Sequence, residues 1–377
     1  MIRQPTCRMQ VRQWLGCAIA LLSGCGNDAT QEADISWTIE SRPMVEIRGT
    51  ADDGSPALSY PSAATRFSDG KIAVADRYES AIRYFDARGT LLHSVGRYGE
   101  GPGEFTDITW MGQCAPDTLF VWDSHQGRVS VLDRDGSLIR LYRIPVEPSD
   151  PTPTYMTCSS AGTFAFLTLP TQQFDIDLTT GAEPRYHGPL LLADTSGESR
   201  IFLSDIPYGE GRPLGRMTTL AVAGDYVFLG TKDSAVVLRY PLAGGAPTPL
   251  HLAAEPRAPT RRHFEIAAEE QSAGFRDMAM RRQSVELLLQ MAMPETLPLY
   301  GKFWDTAGGD VWVVLSAAGD SLTRLQLLRT DGDPQFLTFS GELSILEVGT
   351  DYILAAISDS TGAPTVVMHR LNAPVGP

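Results

Sequence analysis

Four glycines and a proline fall within GRYGEGPGEF, Gly96 to Phe105. Glycine at that density lets backbone amides curl around a phosphate. The rest of the pattern speaks against that use. No Lys-Ser/Thr pair follows, as a P-loop requires. No helical period follows that would point a helix N-terminus at an anion. Glu100 and Glu104 would repel one. Metal chemistry has as little support. The six histidines (93, 125, 187, 251, 263 and 369) are scattered, without ligand spacing. Asp76 and Asp123 each end a strand-like run. They are candidate channel-face residues, with turn capping through their own backbone as the alternative. No G-x-S-x-G appears, and no Ser, His and acid stand out as a set.

The elements that carry these residues repeat. KIAVADRYESAIRYFDARGTLL (71–92) aligns without a gap on TLFVWDSHQGRVSVLDRDGSLI (118–139). Val74 meets Val121, Asp76 meets Asp123, Asp86 meets Asp133 and Gly89 meets Gly136. Each copy reads strand, polar turn, strand, glycine turn, strand. A third unit is expected from Thr163–Leu167 and Gln173–Asp177 with the turn Thr180-Gly181. A fourth comes from Tyr226–Leu229 and Val236–Tyr240. A fifth comes from Val311–Leu315 and Thr323–Leu328, closed by Asp331-Gly332. A sixth comes from Tyr352–Ile357 and Thr365–Leu371, preceded by Ser344–Val348. Six units of short antiparallel strands predict an all-β, six-bladed β-propeller, because a ring of sheets buries faces that one sheet cannot. The sixth unit runs out of chain before its last strand. Ser36–Arg48 is therefore expected to supply it. The glycine cluster then becomes the crossing from the rim of one blade to the axis of the next.

The run Lys71–Phe105 resembles the NHL-repeat six-bladed propellers. Val74-Ala75-Asp76, Ile82–Asp86, Gly89 and Gly99–Phe105 carry the likeness, and Val121-Trp122-Asp123 and Arg128–Asp133 continue it. The resemblance implies a fold and leaves the activity open. Cys114 and Cys158 occupy nearly equivalent places in the second and third units. Either they form a disulfide, which needs Cα atoms closer than about 7 Å, or they stay as two buried thiols.

The first residues are an address. Three arginines precede an apolar run from Trp14 to Leu22, too short for a mature span. Leu22-Ser23-Gly24-Cys25 resembles the bacterial lipoprotein signal. That implies cleavage of residues 1–24, lipidation of Cys25, and a polar tether over 25–35 ahead of a propeller from 36 to 377. Gly26 leans the sorting toward the outer membrane. The expected location is the cell envelope, with the body in the periplasm or at the cell surface.

Arg257–Glu295 departs from the rest. Phe275, Met278, Ala279, Val285, Leu288, Leu289 and Ala292 follow a helical period, with Thr260 as N-cap, Gly274 as a break and Pro294 as a stop. A helical insertion between blades 4 and 5 is expected. Its pairs Arg261-Arg262 and Arg281-Arg282 are candidate partner-docking residues on a chain of net charge −14. That charge speaks against nucleic acid and anionic lipid surfaces, so membrane contact is expected only through the anchor. The leading expectation is a monomeric binding scaffold for an envelope protein or small ligand. The alternative is a metal-dependent hydrolase, lactonase or lyase at the propeller axis. The sequence identifies no cofactor and leaves a divalent metal on that axis open.

Overall fold

The computed structural model describes residues 36–49, 58–144, 152–159, 161–169, 186–194, 198–275, 277–315, 317, 319–329, 333–341, 343–358 and 363–374. Cys25, the leader, the tether, Gln173–Asp177, Thr180-Gly181 and Asp331-Gly332 lie outside the described residues.

Two short strands come first, β1 (Ser36–Ile39) and β2 (Val45–Ile47). Blade 1 is β3 (Pro61–Arg66), β4 (Ile72–Asp76), β5 (Ala81–Phe85) and β6 (Leu91–Val95). Blade 2 is β7 (Ile108–Ala115), β8 (Thr118–Asp123), β9 (Arg128–Asp133) and β10 (Leu138–Arg143). Blade 3 is β11 (Thr152–Cys158), β12 (Phe164–Leu169), β13 (Tyr186–Ala193) and β14 (Ser199–Gly209). Blade 4 is β15 (Thr219–Ala223), β16 (Tyr226–Gly230), β17 (Val236–Pro241) and β18 (Thr248–His251). After two helices, α1 (Arg261–Gln271) and α2 (Met278–Leu288), blade 5 is β19 (Phe303–Asp305), β20 (Val311–Val314), β21 (Leu322–Leu328) and β22 (Gln335–Ser340). Blade 6 is β23 (Ser344–Val348), β24 (Tyr352–Ser358) and β25 (Pro364–Asn372).

Within each blade the strands pair antiparallel in chain order. The first strand of each blade packs on the first strand of the next, and β23 returns to β3. The ring is therefore closed. Its last sheet is completed from the N-terminal side, by Thr38 and Ile39 opposite Asn372 and Leu371, and by Val45–Ile47 opposite Met368, Val367 and Val366. One detail differs from the simple expectation. Ser36 and Trp37 pair in parallel with Phe336 and Leu337 of β22, so the same segment also bridges blade 5 to blade 6. The chain is an all-β, six-bladed β-propeller with a short helical insertion between blades 4 and 5.

Burial follows from the ring. Both faces of a blade meet a neighbour, so β4 and β15 are buried throughout and lose the polar alternation of a half-exposed strand. The outermost strands β6 and β10 are largely exposed, Leu91, Leu92, Leu138 and Ile139 included. The apolar cores lie in the seams. Ile47, Phe85 and Leu354 fill the seam that closes the ring; Tyr84, Phe105 and Leu119 fill the next. Trp122, Phe164 and Phe166 follow between blades 2 and 3.

The 47-residue repeat carries its hydrogen bonds with it. Asp86 accepts from the amides of Arg88 and Thr90; Asp133 accepts from those of Asp135 and Ser137. Gly89 and Gly136 take the positive φ of these turns, +87° and +84°. In the crossing loop, Gly96 also has φ +87°, and a Cβ there would strike the Phe105 ring at 2.7 Å. Phe105 is buried, so the glycine lets the loop fold back over it. Arg128 clamps this loop by donating to the carbonyls of Glu100, Gly101 and Glu104. The Gly101 amide, then an ion pair with Arg97, holds the Glu104 carboxyl below its ordinary range. The amide a phosphate would need already serves the loop's own carboxylate.

Candidate functional site

Strand order determines which loops share a face. The turns between second and third strands and the crossings between blades all emerge at one end of the ring. The helical insertion is itself such a crossing, from blade 4 to blade 5. Thr260 caps α1, accepting from the His263 amide at 3.3 Å, while the Thr260 amide donates to His263 Nδ1 at 3.1 Å. Asp277 caps α2 through the amides of Ala279 and Met280. Between them Ser272–Gly274 forms a single 3₁₀ turn.

The insertion is anchored at several points around the mouth. Arg257 forms a bidentate pair with Asp320 of blade 5 (2.7 and 3.1 Å), and His263 Nε2 lies 3.3 Å from the same carboxylate. Gln271 donates to the Gly211 carbonyl on the crossing from blade 3 to blade 4. Arg281 donates to the Tyr78 hydroxyl of blade 1 at 2.6 Å and lies over its ring. Blades 1 and 4 stand opposite each other in a ring of six. A segment touching both sides must cross the axis, so the insertion caps the mouth.

This placement sorts the arginine pairs. Arg281 is spent on the propeller itself, where aromatic contact and a hydrogen bond reinforce each other. Arg261 pairs with Glu265 one turn along α1. Arg262 also has a partner. Arg282 is exposed. The helical face expected over Phe275–Ala292 is only partly used. Leu288 is the buried side chain of α2, whereas Phe275, Met278 and Met280 are exposed. Burial falls instead on Phe264 and Ala268 of α1.

Asp76 and Asp123 are both fully buried. Asp76 accepts from the amides of Ser59 and Tyr60 and pairs with Arg83 at 3.2 Å. Asp123 accepts from the amide and hydroxyl of Thr106 and from Gln126. Each ties the end of its strand to the segment entering the blade. Of the two alternatives, channel-facing and capping, the hydrogen bonds follow capping, but the donors to these carboxylates come mostly from the entering segment 16 and 17 residues upstream rather than from the residues' own turns. Cys114 and Cys158 are joined as a disulfide across the seam of blades 2 and 3, with Cα atoms 5.6 Å apart.

Between the insertion and the loops of blades 1 and 2 lies a cleft of about 430 Å³. One wall carries Arg77 and Asp107, locked together at 2.7 and 2.9 Å, with Tyr98, Glu100 and His125. The other carries Phe275, Asp277 and Met280. Tyr98 is 64% exposed, Met280 55% and Phe275 40%. Three apolar side chains therefore line an open space beside the carboxylate of Glu100.

A second polar region rings the axis on the first strands. Glu347 of β23 accepts from the Thr65 hydroxyl at 2.5 Å, the Arg66 amide at 3.0 Å and the Tyr352 hydroxyl at 2.7 Å. Gln113 of β7 donates to Thr65 and to the Arg66 carbonyl. Tyr155 of β11 donates to the Leu220 carbonyl of β15 at 3.3 Å. Glu347 and Asp305 of β19 are only half-buried by surface area. Loss of hydration pushes Glu347 up to about 7, against its three hydrogen bonds and with help from Asp305; it pushes Asp305 up to about 6. Among the described residues no group of three His, Cys, Asp or Glu could hold a metal. The sequence reading missed this axial pair, because acids in two short strands far apart along the chain give no joint signal.

Comparison with known proteins agrees with the architecture. The family model DUF5128, described as a 6-bladed beta-propeller, matches residues 61–165. No curated protein matches the chain. A Bacteroides fragilis NCTC 9343 protein described as exported is similar in structure, with a TM-score of 0.52 and 12% identity over 90% of this chain and 96% of that one. A member of the duf4221 family from Bacteroides vulgatus ATCC 8482 gives 0.51 and 10% over 90% and 99%. Virginiamycin B lyase from Staphylococcus aureus gives 0.43 and 14% over 91% and 96%. At these identities the likeness is one of fold.

Proposed function

We propose that the protein is an exported, lipid-anchored binding scaffold of the cell envelope, which takes its ligand in the cleft beneath the helical cap. One observation carries the reading. The insertion crosses the whole propeller mouth yet leaves Phe275 and Met280 exposed opposite Tyr98, across a space of about 430 Å³. That volume lies within the usual range of small-ligand sites. Arg77 is neutralised by Asp107, so the carboxylates of Glu100 and Asp277 set the local charge. The favoured ligand is a small molecule or short peptide end that presents an apolar group beside a positive charge. Fold alone does not select between binding and catalysis; the cleft, in which no nucleophile and base are paired, favours binding.

A thermal-shift screen of small aromatic amines and short basic peptides tests this. A ligand of the cleft raises the melting point of the native protein. Its affinity falls at least about tenfold in Phe275→Asp, since burying one aromatic side chain is worth about 1.5–3 kcal/mol. Ligands whose affinity ignores Phe275→Asp and Glu100→Gln would place binding elsewhere.

The anchor has its own test. Residues 1–25 have the order of a lipoprotein signal, and one acyl chain holds a protein to a membrane only marginally. Cells fed radiolabelled palmitate should label the native protein, and Cys25→Ala should abolish the label. An equally labelled Cys25→Ala protein would remove the anchor from the proposal.

A further inference from the structure

The two helices of the insertion are capped by different chemistry. At the start of α2 the acceptor is the Asp277 carboxylate, which takes the amides of Ala279 and Met280. Those two bonds, the Met280 amide first, hold the carboxyl below its ordinary range, so it stays an acceptor well into acid. The start of α1 is a reciprocal capping box. The Thr260 hydroxyl accepts from the His263 amide, and His263 Nδ1 accepts from the Thr260 amide at 3.1 Å. Glu or Gln ordinarily fills that third helical position. Histidine fills it here, and its acceptor is the one that disappears close to neutral pH. An ordinary imidazole takes up a proton at about pH 6.5. The acceptor nitrogen then carries a hydrogen in place of its lone pair.

The other ring nitrogen is committed too. His263 Nε2 lies 3.3 Å from Asp320 Oδ1. With Nδ1 accepting, the hydrogen of the neutral ring sits on Nε2, beside that carboxylate. The side chain is buried and packs on Gly319, where a Cβ would stand 3.1 Å from His263 Cδ2. Three charged groups face this place. Asp320 comes from the turn between β20 and β21, Arg257 from the segment entering the insertion, and Arg262 from α1 itself, its Cγ approaching the same glycine. Asp320 favours a protonated ring, but both its oxygens already accept from the Arg257 fork, and Oδ2 also takes the Ala317 amide. Arg257, Arg262 and the positive end of the α1 dipole oppose a second charge there.

This box stands at the base of the cap. The insertion leaves and rejoins the propeller at one point, because the Leu297 amide donates to the Arg257 carbonyl at 2.8 Å. From that base the chain goes on to Gly211 through Gln271 and to Tyr78 through Arg281. We propose that His263 is a pH-sensitive pin of the cap: a proton taken up at Nδ1 displaces the Thr260 amide, opens the first turn of α1 and loosens the base of the insertion at blade 5. The neutral ring keeps the mouth covered, and acid frees it. Nothing in this depends on what occupies the cleft at blades 1 and 2.

Amide hydrogen exchange of the full chain tests the pin. It is read residue by residue at about pH 7.5 and about pH 5, which bracket the ordinary histidine value, and corrected for the intrinsic rate at each pH. The amides of Thr260, His263 and Phe264, all bonded within this first turn, should lose protection at least about fivefold in acid, the size of one lost cap. Those of Ala279 and Met280 should change less than about twofold, because the Asp277 carboxylate stays ionised. His263→Gln restores the ordinary motif with an acceptor that does not titrate, and should keep α1 protected at both pH values. His263→Glu, still largely ionised at about pH 5, is the second variant. The proposal fails if the native protein is as indifferent to pH as His263→Gln, or if the α2 amides lose protection in step with those of α1. It fails too if neither variant protects α1 at either pH, since the ring would then hold the base by packing alone.

Discussion

Replacing Cys114 and Cys158 together by alanine is expected to lower the free energy of unfolding by about 4 kcal/mol, which follows from the chain entropy of a closed loop of this size. The two residues are 44 apart in sequence and join the first strands of blades 2 and 3. The bond acts mainly on the unfolded chain, which without it gains the freedom of the whole intervening blade. Its seam is already well filled by Trp122, Phe164 and Phe166, so the variant should still fold. Urea unfolding followed by tryptophan fluorescence measures the loss, and reductant applied to the native protein should reproduce most of it. A native protein indifferent to reductant, matched by an equally stable double variant, would mean two free thiols.

The second large effect is a pH dependence of stability from Glu347. Loss of hydration raises its folded-state value to about 7, well above that of an exposed glutamate, and Asp305 adds to the rise. The sign follows from linkage. Below about 4.5 the carboxyl is protonated in both states, and the folded protein has its full stability. As pH climbs, the unfolded chain releases this proton first, so stability falls until the folded group also ionises near 7. The shift corresponds to roughly 3 kcal/mol, reduced to about 2 kcal/mol because the side chain keeps part of its solvent contact. Glu347→Gln should therefore flatten the decline between about pH 4.5 and 7 by about 2 kcal/mol. Asp305→Asn should remove a smaller slope of the same sign at lower pH. Unfolding free energies at pH 4.5, 6 and 8 decide it, and parallel curves for native and Glu347→Gln would rule it out. Glu347 sits where β23 meets β3, so the decline would reflect loosening of the seam that closes the ring.

Local pattern was enough to show much of this protein. The gapless match of Lys71–Leu92 to Thr118–Ile139 reported two blades residue by residue. Asp86 and Asp133 do the same work because each turn is made within a few residues of itself. Counting strands was enough to send Ser36–Arg48 to the last blade, since an unpaired edge would otherwise remain. Thr260 was legible as a cap because capping is local.

What needed the tertiary structure was every relation that ring closure creates. Thr65 meets Glu347 across 282 residues, and Arg281 meets Tyr78 across 203. No periodicity encodes such pairs, because the partners are chosen by which blades become neighbours and by which loops share one end of the ring. The capping role of Asp76 and Asp123 was decided the same way, by amides 16 and 17 residues upstream that the sheet brings back within reach.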